Sequence, residues 1–359
     1  MVWIVIVTLS TLVWVLAKFY LSGPELTGYD KPVGLRFKSH PDDAKVNDLV
    51  FTEFQKVHDA VDAVNSPLTA LGIIRSVADD FSLDLETDTK FISVDANGVD
   101  CEWALAPQSN PKRRILFMHG GAFLFGSAKG HRKYCDQLAK ISNASVLSVN
   151  YRLLPKFGRN AGITDTQKAY RWILENGPDD KTEPELLIVA GDSAGGNLAM
   201  MISSWSKNNA AHKPDAVISF SPFLDMTMNA PTFLRNMATD KILGEGLLGK
   251  GFGFLAKTPL LLRSWVMLLI MRMSPSNPLA SPLFGNLSGL PKTLIQASSN
   301  EMLLGDSIRY TNKAIEAGSD VKLQIWEDQM HDWHIFNMGV GSANQAWEEV
   351  SQFIDDISS

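Results

Sequence analysis

Residues Leu186 to Ala190 form a short unbroken apolar run that ends in Gly191-Asp192-Ser193-Ala194-Gly195, and Leu198, Met201, Ile202 and Trp205 then recur at three- and four-residue spacing. A run of that length without alternation suits a strand buried on both faces of a parallel sheet. The recurrence after it suits a helix with one apolar face. Between them stands G-x-S-x-G, the spacing of a strained strand-to-helix turn that lifts a serine above a sheet and tolerates only small neighbours. Alone, such a pentapeptide also fits an ordinary glycine-rich turn. The strand before it and the helix after it are the context that favours a nucleophile elbow.

Other strands keep the same rhythm. Lys90 to Val94 and Asp100 to Ala106 alternate around Asn97-Gly98, a hairpin signal. Arg113 to Met118, Ser145 to Val149, Ala216 to Phe220, Thr293 to Ser298 and Val321 to Trp326 are short apolar runs. Amphipathic stretches separate them, at about Arg132–Ile141, Thr164–Glu175, Asp306–Ala317 and Asn344–Ile357. Strands alternating with helices predict an α/β fold with a mostly parallel, doubly wound sheet. With 359 residues, 45% of them hydrophobic, the chain is long enough to bury one large core.

The N-terminal part reads differently. Val2 to Ala17 is almost wholly apolar and the run resumes through Phe19, Tyr20 and Leu21, about 20 residues, which is the length of a bilayer span. No Lys or Arg precedes Lys18 and no small-x-small cleavage site is evident. A membrane anchor over residues 1–22 is therefore expected, with a signal peptide of a secreted or periplasmic protein, or an apolar helix docked on the protein, as alternatives. Lys18, Lys31, Arg36 and Lys38 follow the span, which by the positive-inside rule favours a cytoplasmic globular part. Ser22 to Pro41 reads as a linker, and Val50, Phe54, Val57, Val61 and Val64 mark helices before the first strand. The expected organisation is a linker with N-terminal cap helices over 23–85 and a catalytic domain over 86–359 carrying a cap insertion near 226–275. Within that insertion Pro259 to Met271 is apolar except for Arg263 and too short to cross a membrane. It reads as a helix over the active site or against a membrane surface, or as an ordinary core helix.

A serine hydroxyl needs a base, normally an imidazole oriented by a carboxylate. In an open α/β sheet these groups come from loops at the carboxyl ends of strands. Ser193, Glu301 and His331 stand on such loops, in the order nucleophile, acid, base. Asp306 is the rival acid, inside the helix that follows, and His334 the rival base. Asp328 and Asp332 lie too near His331 in sequence to brace it easily. Arg113 to Met118 runs into His119-Gly120-Gly121-Ala122-Phe123, which is close to the H-G-G-G loop whose backbone N–H groups help form an oxyanion hole. Gly120, Gly121 and Ala122, with Ala194 after the serine, are the candidate residues of that hole.

From about Ala60 onward the chain resembles the hormone-sensitive-lipase family of α/β-hydrolases, which includes bacterial esterases and the arylacetamide deacetylases. The likeness rests on His119-Gly120-Gly121-Ala122-Phe123, Tyr151-Arg152-Leu153-Leu154-Pro155, Gly191-Asp192-Ser193-Ala194-Gly195-Gly196, Ser281-Pro282-Leu283-Phe284 and Ala317-Gly318. It departs from the family at Glu301, where an Asp is usual, and at Lys156-Phe157-Gly158-Arg159-Asn160, where the family commonly has Glu-His-Pro-Phe-Pro. The resemblance implies an α/β-hydrolase fold with a helical cap and a carboxylesterase or lipase activity without metal or organic cofactor. Lipophilic short- to medium-chain esters met at a membrane are the expected substrates, with amide or lactone cleavage by the same groups as an alternative. A ligand receptor on this fold is a further alternative, since some plant hormone receptors resemble the family but lack the histidine. The net charge of −6 and the absence of a basic stripe exclude nucleic acid as an expected partner. Cys101 and Cys135 have no metal-ligand spacing and read as structural.

Overall fold

Short apolar runs and amphipathic helices assemble into a nine-stranded sheet covered by helices on both faces in a computed structural model that describes residues 2–210, 212–244, 248–336 and 338–358. The strands are β1 (Leu35–Phe37), β2 (Lys90–Asp95), β3 (Asp100–Leu105), β4 (Asn110–Met118), β5 (Ala144–Val149), β6 (Leu186–Asp192), β7 (Ala216–Phe220), β8 (Lys292–Ser298) and β9 (Val321–Trp326). Their order across the sheet is β1-β9-β8-β7-β6-β4-β5-β3-β2. Among the described residues, only the pairs β2–β3 and β3–β5 are antiparallel. The β2–β3 hairpin turns at Asn97 and Gly98, both at positive φ (58° and 79°), as a tight turn of the primed type requires.

Every residue of β5, β6 and β7 is buried, which is why these strands read as continuous apolar runs. Alternate side chains still serve different layers. Leu187 and Val189 pack with the helices Arg159–Ile173, Ser193–Asn209 and Leu304–Glu316. Ile188 and Ala190 pack with Arg132–Ser142 and Gly341–Ser358 on the other face. The carboxyl ends of β4, β6, β8 and β9 therefore open toward one rim of a rigid central layer, and the candidate residues stand on the loops there.

Three expectations require correction. The region read as a linker contains β1, three residues that pair in parallel with β9 (Leu35 opposite Gln324), too short a strand to leave a periodicity. The N-terminal apolar run passes from α-helix into a π-helical turn at Leu16. Its α-helix covers Val2–Leu16, 15 residues, or about 22 Å against the roughly 30 Å of a bilayer core. The chain then makes a π-helical turn at Ala17–Leu21, because Ala17 and Leu21 are buried and the Tyr20 carbonyl accepts hydrogen bonds from Ser274 Oγ (2.8 Å) and Ser276 Oγ (2.6 Å). Among the described residues, no helix is long and apolar enough to cross a membrane. The expected membrane anchor, and the membrane association drawn from it, therefore lose their basis.

The third correction concerns the insert. It forms the helices Gly249–Lys257 and Leu260–Met271. Leu248 and Phe252 reach the cavity above Ser193, whereas no residue of Leu260–Met271 lines it. The later helix packs instead on the N-terminal turn Ala17–Leu21, and the Arg263 guanidinium, buried in it, donates to the Leu255 carbonyl (3.0 Å).

Candidate active site

Strand β6 ends at Asp192, and the helix Ser193–Asn209 starts at once, with Ser193 forced to a φ of 50°. A non-glycine residue in the left-handed region is strained, and such strain persists only where its surroundings impose it. Here the close approach of the Met118 backbone imposes it, and the flanking glycines permit that approach. A Cβ on Gly195 would lie 1.9 Å from the Met118 carbonyl oxygen, and one on Gly191 would lie 2.5 Å from the Gly195 carbonyl carbon. The turn closes only because both positions lack side chains.

Ser193 Oγ is 2.8 Å from His331 Nε2, and His331 Nδ1 is 3.0 Å from Glu301 Oε2. All three side chains are buried. The Glu301 carboxylate is held by its other oxygen, which accepts from the Ser298 N–H (2.7 Å) and from Ser221 Oγ (2.8 Å). Its loop is clasped by the segment after β7. Asn236 Nδ2 donates to the carbonyls of Ser299 and Glu301 (both 2.9 Å), Thr232 Oγ1 donates to the Met302 carbonyl (2.9 Å), and Asp240 Oδ2 accepts from the Met302 N–H (2.9 Å). No motif announces these residues. Their side chains act on backbone atoms far away in sequence.

The rival residues lie elsewhere. Asp306, within Leu304–Glu316, accepts from the N–H groups of Leu224 and Asp225 (both 3.0 Å). His334 Nε2 pairs with Gln296 Oε1 at 2.9 Å, and its ring packs on Phe220 and Trp333.

Gly121, Ala122 and Phe123 have φ of 109°, 52° and 61°, so the loop after β4 is a tight arch. The Gly120 N–H donates to Asp192 Oδ1 at 2.9 Å and is not free for a substrate. A Cβ at Gly120 would meet Asp192 Oδ2 at 2.1 Å, which ties this glycine to the close approach of the carboxylate. Among the described residues, no acceptor takes the N–H of Gly121 or Ala122. The Ala194 N–H is in the first helical turn, where backbone donors lack intrahelical partners. Asp192 Oδ2 also faces His131 Nε2 at 3.4 Å. Burial would lower the His131 pKa, but the Asp192 carboxylate overcomes this and raises it. His119, by contrast, is held neutral by burial and by His131, its pKa pushed down to about 3, and it stacks on Tyr151 at 4.3 Å. The departing loop at Lys156–Asn160 places Arg159 under this arch. Its guanidinium stacks on the Phe123 ring at 3.8 Å and donates to Asn197 Oδ1 at 2.7 Å.

One carboxylate is legible in the sequence only as too near the histidine to brace it easily. Asp332 Oδ2 approaches the other nitrogen, His331 Nε2, at 3.2 Å. Burial opposes protonation of His331, yet the carboxylates of Asp332 and then Glu301 prevail and raise its pKa to about 10.

Above Ser193 opens a cavity of ≈ 950 Å³ including its mouth. Phe54, Ile74 and Phe81 come to it from the N-terminal segment, and Ile242, Leu248 and Phe252 from the segment after β7. Its polar groups gather at the floor, as is usual for small-molecule sites.

An elbow serine beside a buried imidazole and carboxylate, on the carboxyl rim of a doubly wound sheet, defines the class of α/β-hydrolases with a serine centre. The comparisons agree. Residues 115–335 match the model of a family with the alpha/beta hydrolase fold. An esterase of Acinetobacter venetianus is 31% identical over 250 residues, 70% of this chain and 77% of that one. The crystal structure of an esterase from the bacterial hormone-sensitive lipase family superposes with a TM-score of 0.71 at 27% identity, covering 87% of this chain and 99% of the other. The esterase EstE5, in a crystal soaked with p-nitrophenyl butyrate, superposes at 0.72 and 28% identity over 89% of this chain and 99% of its own. The chain belongs to the hormone-sensitive-lipase family of α/β-hydrolases and is a carboxylesterase-type serine hydrolase.

Proposed function

We propose that Ser193 is the nucleophile, His331 its general base and Glu301 the residue that orients the imidazole. The row from Ser193 Oγ through His331 to Glu301, at 2.8 and 3.0 Å, is the observation that carries this reading. Attack on an ester carbonyl transfers the serine proton to His331 Nε2, and Glu301 stabilises the imidazolium through Nδ1–H. The tetrahedral oxyanion is bound by the N–H groups of Gly121, Ala122 and Ala194, while Gly120, its own N–H committed to Asp192, shapes the arch. His331 then returns the proton to the leaving alcohol. A water, activated by the same imidazole, releases the acid.

The apolar walls favour a lipophilic acyl group of short to medium length. In this reading the helices Asp43–Asp62 and Pro67–Asp80, with the part of the insert that carries Ile242, Leu248 and Phe252, form the cap over the catalytic sheet. The test is a series of p-nitrophenyl esters from acetate to palmitate. A maximum in kcat/KM between butyrate and octanoate is expected; a maximum at acetate or at palmitate contradicts the substrate reading.

A further inference from the structure

Asp332 has no part in the proton transfers above, yet it lies in the cavity wall beside the nitrogen that performs them. Its Oδ2 is 3.2 Å from His331 Nε2, and its backbone, at a φ of 57°, donates an N–H to Ser221 Oγ at 3.3 Å. The carboxyl is therefore aimed by the same loop that delivers the imidazole. Its second oxygen, Oδ1, is buried and no donor among the described residues reaches it. Oδ2, beside Nε2, is therefore the oxygen of this carboxyl that stands next to the reacting groups. Most of the cavity lining is apolar, and its polar side chains besides Asp332 are His131, Asp192, Ser193 and His331.

The chemistry says what passes this point. His331 Nε2 must protonate the departing alcohol oxygen, so that oxygen comes within hydrogen-bond distance of Nε2. Asp332, in contact with the same nitrogen, then places an acceptor beside the carbons that follow the scissile oxygen.

We infer that Asp332 is a specificity-determining residue for the alcohol half of the substrate: its carboxylate, through the Oδ2 edge beside Nε2, accepts a hydrogen bond from a donor on the carbon neighbouring the alkoxy carbon. The preferred substrates are then monoesters of diols or polyols, or of amino alcohols, with the acyl chain in the apolar cavity. This rests on the serine-hydrolase reading proposed above. It adds a requirement on the alcohol that neither the apolar cavity nor the elbow imposes.

The experiment compares three butyrates of nearly equal size. 2-Hydroxyethyl butyrate has the donor, 2-methoxyethyl butyrate keeps the oxygen without it, and propyl butyrate has neither. The wild type is expected to favour the hydroxyethyl ester over the other two by about tenfold in kcat/KM, the scale of one hydrogen bond that only this substrate forms. Asp332→Ala is expected to bring the ratio near one, and Asp332→Asn, which keeps a carbonyl acceptor, to retain part of it. All three esters use the same imidazole, so a change in its proton affinity cancels in the ratio.

Equal rates for the hydroxy and methoxy esters in the wild type overturn the proposal, even if Asp332→Ala does not fold. So does an unchanged ratio in Asp332→Ala with kcat lowered for every ester, which would assign Asp332 to the deacylating water. If the wild type hydrolyses none of the three, the serine-hydrolase reading fails and this inference falls with it.

Discussion

Asp332 Oδ2 stands 3.2 Å from His331 Nε2, the same nitrogen that Ser193 Oγ meets at 2.8 Å, so two side chains contend for one site on the imidazole. The base is thereby flanked by carboxylates on both nitrogens, with Glu301 on Nδ1. A base so flanked holds its proton more tightly than a free imidazole.

The pH profile follows in sign. His331 accepts the serine proton only when neutral, and its pKa is raised to about 10. Its neutral fraction therefore grows as pH rises toward that value, and kcat/KM for an alkyl ester is expected to climb between pH 7 and 10. Asp332→Asn removes a negative charge that raises the pKa, so the climb is expected at lower pH, with about a tenfold gain at neutral pH for each unit moved. Stopped assays with propyl butyrate across that range check this; identical profiles for the two proteins contradict it.

The acid is expected to act through orientation. Glu301→Gln should lower kcat by about 10³- to 10⁴-fold with KM little changed, the scale seen when the third member of such a row is neutralised. Ser221→Ala removes one of the two donors on the Glu301 oxygen that faces away from the imidazole. It should cost about tenfold in kcat, one charge-assisted hydrogen bond shared among several. Steady-state kinetics on one ester separate the two effects.

Asp192 is expected to matter without touching substrate. Its carboxylate accepts from the Gly120 N–H at 2.9 Å and faces His131. Asp192→Ala should relax the arch that aims Gly121 and Ala122, lowering kcat about 10²-fold, comparable with the loss of one oxyanion donor. A fall in kcat/KM that comes from KM alone would argue against it.

Gly195→Ala tests the elbow's geometry through stability. The new Cβ would sit 1.9 Å from the Met118 carbonyl oxygen, and backbone cannot yield as a side-chain tip can. A loss of more than about 3 kcal/mol, or failure to fold, is expected. Chemical denaturation measures it. An alanine at Gly98, where nothing lies within 4 Å but φ is 79°, should cost less.

What the sequence made legible was what chemistry ties to short spacings. The elbow, the His119–Phe123 arch and the loops bearing Glu301 and His331 each need particular residue types at fixed offsets, and the strands buried on both faces announce themselves as apolar runs. The rest depends on contacts distant along the chain. Hydropathy reads Val2 to Leu21 as one span because it cannot register that Ala17 and Leu21 pack inward while Ser274 and Ser276 hold the Tyr20 carbonyl. Asn236, Thr232 and Asp240 clasp the Glu301 loop through its backbone, which leaves no pattern. Asp332 stands too near His331 in sequence to read as its brace, and the left-handed turn that swings it to Nε2 is not visible in a string of letters.

The central claim is that Ser193 carries the acyl group between the two half-reactions. Acid quench of the wild type during turnover of p-nitrophenyl butyrate, followed by mass analysis of its peptides, is predicted to find one butyryl group on Ser193, and Ser193→Ala is predicted to lose both the adduct and at least about 10⁴-fold of kcat. A butyryl group on another residue, or turnover that survives in Ser193→Ala, would contradict the account.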